Sequence, residues 1–165
     1  MHNTRTTDNA WRILFLLFLA NMFNFFDRTI PAIIIEPLRL AWDLSDFQLG
    51  IAGTAFTVVY ALAGIQLGRL ADRGSRRKIM GWGLTVWSGL TAATGAAWSF
   101  GSFLIMRMGV GVGEAGGSPP SDSMISDIFP PESRAGALGF CSTGVSFGIL
   151  FGFLFGGWLN EYFGW

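Results

Sequence analysis

Apolar residues along this chain fall in long blocks separated by short charged clusters. A helix crosses the ~30 Å hydrocarbon core of a bilayer in roughly 20 residues. Five blocks reach that length: about 11–35, 47–71, 79–98, 102–126 and 135–158. The second and fifth carry long charge-free stretches, and the charge-free run from Ile79 to Met106 is too long for one span. It breaks at Ser99-Phe100-Gly101-Ser102. No block alternates apolar and polar residues as a barrel strand must, and lipid admits only helices or closed barrels. The pattern predicts an all-α polytopic membrane protein of five spans, with loops too short for a separate soluble domain. Pro119-Pro120 is expected to end or kink the fourth helix.

The cationic residues give the orientation. Arg5 and Arg12 lie before or at the start of the first span, Arg69, Arg73, Arg76, Arg77 and Lys78 between the second and third, and Arg134 between the fourth and fifth. The opposite side holds only Arg39, beside Glu36, Asp43 and Asp46. This places the N-terminus in the cytoplasm and the chain in the inner membrane. Trp11, Trp42, Trp98 and Trp158 sit near the proposed helix ends, as interfacial anchors do. The first block ends in Asn21, Asn24, Asp27, Arg28 and Pro31 without a small-residue cleavage site, so it reads as a retained helix and not a signal peptide.

Composition narrows the classes further. Hydrophobic residues make up 51% of the chain and charged residues 13%, about half the usual charged share of a soluble domain. Formal net charge is zero, which gives no reason to expect a nucleic-acid partner. The single histidine, His2, lies in the polar leader, and the single cysteine, Cys141, lies in an apolar block. Neither a histidine metal site nor an internal disulfide is expected, and no cofactor is implied.

Four ionisable residues fall within the spans: Asp27 and Arg28 in the first, Arg107 and Glu114 in the fourth. Intramembrane charges persist when they face protein or a wet cavity and find partners, so they are functional candidates. Asn21, Asn24 and Arg28 follow i, i+3, i+7 and share a helical face; Asp27 lies beside it. Arg107 and Glu114, seven apart, share a face that Ser118 extends. At ~1.5 Å per residue, antiparallel packing of the two helices sets Asp27 and Arg28 near Arg107, with Glu114 one to two turns deeper. Asp27–Arg107 and Arg28–Glu114 are the expected pairs. They form either a fixed structural cluster or exchangeable pairs in a polar cavity. A carboxylate that alternates between protonated and paired states couples a proton to a solute, and exchange is the expectation.

The chain holds 23 glycines. Gly109, Gly111, Gly113, Gly116 and Gly117 mark the fourth helix, and Gly144, Gly148, Gly152 and Gly156 recur every four residues in the fifth. Such small-residue faces let helices approach closely. They serve static packing or a smooth surface for sliding.

Between the second and third spans, Gly68-Arg69-Leu70-Ala71-Asp72-Arg73-Gly74-Ser75-Arg76-Arg77 resembles the loop motif of the major facilitator superfamily, G-x-x-x-D-R-x-G-R-R, departing from it at Ser75. Asp72 ends the second helix and is placed to cap or pair at the start of a neighbour. Arg107-x-x-x-Gly111-x-Gly113 resembles the family's arginine motif, which is associated with proton transfer. Gly139, Gly148, Gly152, Phe153 and Gly156-Gly157 resemble its antiporter motif, with Phe153 in place of proline. Asp127-x-Phe129-Pro130 followed by Arg134 is similar to the family's loop after the fourth helix. Asn24-Phe25-Phe26-Asp27-Arg28 and Gly111-Val112-Gly113-Glu114-Ala115 resemble the spinster-like members, and the Asp-Arg and Glu-Ala steps also occur in anion:cation symporters.

The resemblance implies the N-terminal part of a secondary transporter, five helices of a first six-helix bundle, with a C-terminal half absent and Asn160 to Trp165 expected as the loop leading into a sixth span. It implies gating by Gly68, Asp72, Arg73, Arg76 and Arg77, and helix packing by Gly139, Gly148, Gly152, Gly156 and Gly157. The solute and proton are expected to engage Asp27, Arg28, Arg107, Glu114 and Asn24. A spinster-like member moves an amphiphilic, lipid-like solute; a symporter moves a small organic anion; a membrane scaffold or remnant moves neither. An intramembrane enzyme is set aside, since no nucleophile–base pair, metal set or cofactor motif accompanies the carboxylates.

Overall fold

The computed structural model describes residues 4–163, without the side chains of residues 4–8, 118, 119 and 163. His2 and the side chain of Ser118 lie outside the described parts. Among the described residues six helices follow one another: α1 (Thr4–Trp42), α2 (Asp46–Arg73), α3 (Arg76–Thr94), α4 (Phe100–Ala115), α5 (Ser118–Ile128) and α6 (Pro131–Phe163). Among the described residues there is no strand.

The helix ends follow from local chemistry. α1 stops where Asp43 adopts φ 49°, and the Leu44 amide then bonds back to the Arg39 carbonyl at 3.0 Å, a Schellman closure. Leu44 and Leu38 are both buried beside it, the apolar contact that such an ending uses. α2 opens with a capping box in which the Ser45 hydroxyl accepts from the Gln48 amide and the Gln48 side chain accepts from the Ser45 amide. Ser99 and Ser102 form an equivalent box, so this segment starts α4 at Phe100, slightly earlier than the sequence pattern places it. α3 ends at Thr94 and not near Trp98, because the break begins at Gly95.

The expected fourth helix is two helices. α4 ends at Ala115, and the amides of Gly116 and Gly117 bond back to the carbonyls of Gly113 and Glu114. Pro119 and Pro120 then occupy the first turn of α5, where a missing N–H costs no hydrogen bond. The prolines begin a helix; the glycine pair ends the previous one. Two further expectations are corrected. α1 already runs through most of the polar leader, and α6 continues to Phe163, so Asn160 to Phe163 are helical and not loop. Gly164 and Trp165 lie outside the described residues.

Close approach by glycine organises the packing into two units. In the first, α6 lies along α1. A Cβ on Gly144 would stand 2.8 Å from the Phe18 carbonyl oxygen, one on Gly152 2.7 Å from Thr29 Cβ, one on Gly156 2.6 Å from Ile33 Cδ1, and one on Gly148 would overlap the Met22 carbonyl. In the second, α4 is wedged between α2 and α3. A Cβ on Gly113 would lie 2.7 Å from the Trp87 amide nitrogen, one on Gly109 2.6 Å from Leu90 Cδ1, and one on Gly111 3.3 Å from Phe56. Short α5 clamps the two units at the end where α1 begins. Leu14, Leu17, Ile125, Phe129, Ala137 and Cys141 form a buried core there, and Trp11 meets Phe129 edge-on at 5.7 Å.

Among the described residues three helices are each long and apolar enough to cross a membrane: Asn9–Trp42, Asp46–Arg73 and Pro131–Tyr162. The remaining helices are shorter or more charged: α3 has 19 residues and begins with Arg76-Arg77-Lys78, and α4 has 16 and carries Arg107 and Glu114. Around the outside, Phe47, Val58, Leu62, Ile65, Trp82, Ile105 and Phe153 are exposed. An apolar exterior around buried charge is the arrangement that a lipid solvent requires.

At Gly139 and Gly157, expected among the packing glycines, an added Cβ would meet nothing within 4 Å, so neither makes a close approach like those of the α1–α6 seam. The seam predicts an asymmetry. Gly148→Ala forces α6 off α1 and is expected to lower stability by about 1–3 kcal/mol. Gly139→Ala is expected to be neutral or to stabilise by up to about 1 kcal/mol through helix propensity. Thermal unfolding of the two variants in detergent micelles checks the difference.

Candidate functional site

The first unit carries Asn24, Asp27 and Arg28 on α1; the second carries Arg107 and Glu114 on α4. Facing each other, they form two ion pairs. Arg107 Nη1 lies 3.2 Å from Asp27 Oδ2, and Arg28 Nε lies 2.6 Å from Glu114 Oε2. Burial is deep: Asn24, Asp27 and Arg107 are each 6% exposed and Glu114 1%. The glycines of α4 permit this depth, because Gly109, Gly111 and Gly113 draw the helix in against α2 and α3. Asp27 and Arg28 are adjacent on α1 and so diverge by about 100°, which sends one toward Arg107 and the other toward Glu114. A trans-unit aromatic contact between Trp42 and Phe103 accompanies the pairs near the far end of α1.

Further groups complete the site. The Thr91 hydroxyl of α3 donates to Asp27 Oδ2 at 3.1 Å, the same oxygen that Arg107 binds. From α2, Phe56 and Tyr60 stack on each other, and the Arg28 guanidinium sits 4.3 Å from the Tyr60 ring centre and 5.6 Å from that of Phe56. Phe25 lies 5.1 Å from Arg28, and Phe56 is also 5.2 Å from the Arg107 guanidinium. Asn21 is drawn aside, its side-chain amide donating to the Cys141 carbonyl of α6 at 3.0 Å. Three buried atoms of the cluster have no hydrogen-bond partner among the described residues: Asn24 Oδ1, Arg28 Nη2 and Glu114 Oε1.

Two cavities flank the cluster. One of about 510 Å³ lies toward the beginning of α1 and is lined by Leu17, Asn24, Trp87, Ser121, Cys141 and Val145 among others. The other, about 270 Å³, lies toward the end of α1 and is lined by Arg28, Ile35, Leu38, Trp42, Phe103 and Arg107 among others. Both are largely apolar; the first meets the cluster at the uncharged Asn24, and the second carries Arg28 and Arg107 in its wall.

Thr91, Phe56 and Tyr60 were not candidates from sequence. Their signals are weak: Thr91 is one hydroxyl in an apolar helix, and Phe56 and Tyr60 are aromatics four apart. Tyr60 is still one of only two tyrosines and stands in mid-span, away from the interface that tyrosine favours.

The loop motif lies apart from this site. Gly68 has open space around it, and Asp72, Arg73 and Arg77 are exposed. Asp72 makes no hydrogen bond or ion pair among the described residues, and Ser75 is the N-cap of α3, so the expected capping by Asp72 is not seen. Arg76 instead pairs with Asp127 in the last turn of α5. This pair ties the start of α3 to the clamp helix.

Long apolar helices around a buried charged cluster define a polytopic membrane protein. The chain belongs to the Major Facilitator Superfamily, whose sequence model matches residues 17–165. It is 32% identical over 157 residues to an MFS-type efflux pump of Mycolicibacterium smegmatis, covering 94% of this chain and 37% of that protein. It is 29% identical over 153 residues to the hexuronate transporter of Bacillus subtilis, covering 93% of this chain and 36% of the relative. A crystal structure of a bacterial homolog to the human lysosomal transporter Spinster, inward-facing and unoccupied, superposes with a TM-score of 0.87 at 42% identity. That match covers 91% of this chain and 32% of the other. The fold and sequence are spinster-like, and the relatives are transporters, not enzymes. The chain spans about a third of the length of these relatives.

Breaking one pair strands a buried charge. Arg107→Leu is expected to cost about 3–5 kcal/mol by leaving Asp27 unpaired. Adding Asp27→Leu to that variant is expected to recover much of the loss, so the two single costs sum to well above the double cost. A double-mutant cycle by denaturation in detergent measures this coupling.

Proposed function

We propose that this chain forms part of a proton-coupled secondary transporter of an amphiphilic, lipid-like solute, with Asp27, Arg28, Arg107, Glu114 and Asn24 engaging proton and solute. The observation that carries the reading is the buried cluster with open valences between two cavities. Glu114 Oε1 lacks a donor and Arg28 Nη2 lacks an acceptor although the two residues are already paired. A proton on Glu114 releases Arg28, and an acidic group of the solute takes the vacated place. The apolar walls of both cavities suit a hydrocarbon body.

The full reading includes five spans, with α4 and α5 together making the fourth, and an inner-membrane location with the N-terminus cytoplasmic. Arg69, Arg73, Arg76, Arg77, Lys78 and Arg134 then share the cytoplasmic side. Residues 1–165 form part of an N-terminal bundle, and a second bundle completes the solute cavity, as in transporters built from repeats. Gly68, Asp72, Arg73, Arg76 and Arg77 contribute to gating at that side, with Asp127 as partner. A second reading, an organic-anion symporter, is supported by the two arginines at one cavity wall and by the likeness to the hexuronate transporter.

The test is uptake by the full-length protein in liposomes under an imposed proton gradient, with a radiolabelled lysolipid and with glucuronate. Gradient-driven uptake of the lysolipid alone supports the first reading, and of glucuronate alone the second. Glu114→Gln and Asp27→Asn are each expected to abolish the gradient's effect; coupled uptake that survives both changes sinks the coupling proposal. Topology is checked separately in a Cys141→Ser background. A membrane-impermeant maleimide is expected to label Asp43→Cys from outside intact cells and Ser75→Cys only after the membrane is opened.

A further inference from the structure

Arg28 is held by more than its ion pair. Its guanidinium lies among three rings from two helices, Phe25 of α1 and Phe56 and Tyr60 of α2, while Glu114 of α4 takes only its Nε. The Arg28 side chain is 24% exposed, whereas that of Glu114 is fully enclosed. Nη2 of the same group is buried without an acceptor. Tyr60 meets Arg28, whereas Phe56 lies near both arginines. The charged or titratable groups around Arg28 are Glu114 and Arg107 on α4, its neighbour Asp27 on α1, and Tyr60 on α2; α3 contributes the uncharged Thr91 through Asp27.

We propose that Phe25, Phe56 and Tyr60 form an aromatic cage that retains the Arg28 guanidinium when its pair with Glu114 is broken. The three aromatics are positioning residues for the exchange, and the inference rests on the exchange reading above. The physical argument is a difference between two states. While Glu114 is ionised, it neutralises Arg28, and the rings add little. Once Glu114 is neutral, Arg28 is an unpaired cation in a largely desolvated site, where attraction to a ring face is stronger than at the surface. Without the cage that state is costly, so Glu114 resists taking a proton. With the cage, the guanidinium stays in place with its N–H groups free to meet an anionic oxygen of the solute. A carboxylate and a phosphate share that chemistry.

The cage is tested without any solute. N,N′-dicyclohexylcarbodiimide, a lipophilic reagent, modifies carboxyl groups that are protonated in apolar surroundings. Its reaction with Glu114, mapped by mass spectrometry in the full-length protein in detergent, reads the neutral fraction at each pH. Tyr60→Leu is expected to slow labelling of Glu114 roughly tenfold at a fixed pH. Tyr60→Phe, which keeps the ring but removes the hydroxyl that also interacts with Arg28, is expected to label closer to the wild type than Tyr60→Leu does. Phe25→Leu removes a different wall and is expected to slow labelling also, which decides the matter if Tyr60→Leu fails to fold. Labelling of Glu114 that is unchanged or faster in the leucine variants overturns the cage. Wild-type Glu114 that never labels across the neutral range overturns the exchange reading itself. With the wild type labelled, phosphate-headed lysolipid and glucuronate are compared for protection of Glu114. Protection by either that Tyr60→Leu weakens supports the cage, and equal protection in both proteins counts against it.

Discussion

The structure depends on where four charges go once water is removed. Asp27, Arg28, Arg107 and Glu114 cannot face hydrocarbon without a large penalty, and each finds an opposite partner on the other helix. This demand sets α1 against α4. Apart from the charged side chains and the Trp42–Phe103 contact, α1 packs mainly on α6, and α4 packs on α2 and α3. The units are therefore tightly built within themselves and joined across a polar seam. Two packed bodies tied by a few ionic links, one aromatic contact and the α5 clamp can change their relation without repacking their glycine seams.

Glycine makes the arrangement possible from both sides. Along α6 it recurs every four residues, so one face meets α1 closely from Phe18 to Ile33. Along α4 it recurs every second residue from Gly109 to Gly113, so successive glycines turn toward different neighbours. The first pattern makes a flat seam; the second sinks a helix into a groove. Arg107 and Glu114 are carried inward with it, and their charges end beside Asp27 and Arg28 instead of at the surface.

The class of fold was legible because it rests on block length and charge segregation, which lipid enforces. Helical spacing, antiparallel geometry and opposite charge together anticipated the pairs Asp27–Arg107 and Arg28–Glu114. Boundaries were less legible, for local reasons. Ser99 and Ser102 look like a break but cap a helix, and Pro119-Pro120 looks like a terminator but sits where proline is harmless. Gly139 and Gly157 matched a motif but face open space, since a motif records order along the chain and not the angle around the helix. Thr91, Phe56 and Tyr60 depend on the rotation of α2 and α3 about α4, which no spacing within one helix encodes.

The α1–α6 seam has a consequence for biogenesis. Phe18 and Gly144 meet in the folded protein but leave the ribosome far apart in time. At about 5–20 residues per second, the interval is on the order of ten seconds. Throughout it, α1 waits in or beside the insertion machinery with its long partner not yet made. Its charges are tolerable there because Asp27 and Arg28 are adjacent and opposite, so the nascent helix is almost neutral as a whole. When α4 arrives, each takes a separate partner, and only afterwards can the late helix close along α1. Assembly is thus ordered by synthesis, with a provisional charge balance inside one helix replaced by a lasting one between two.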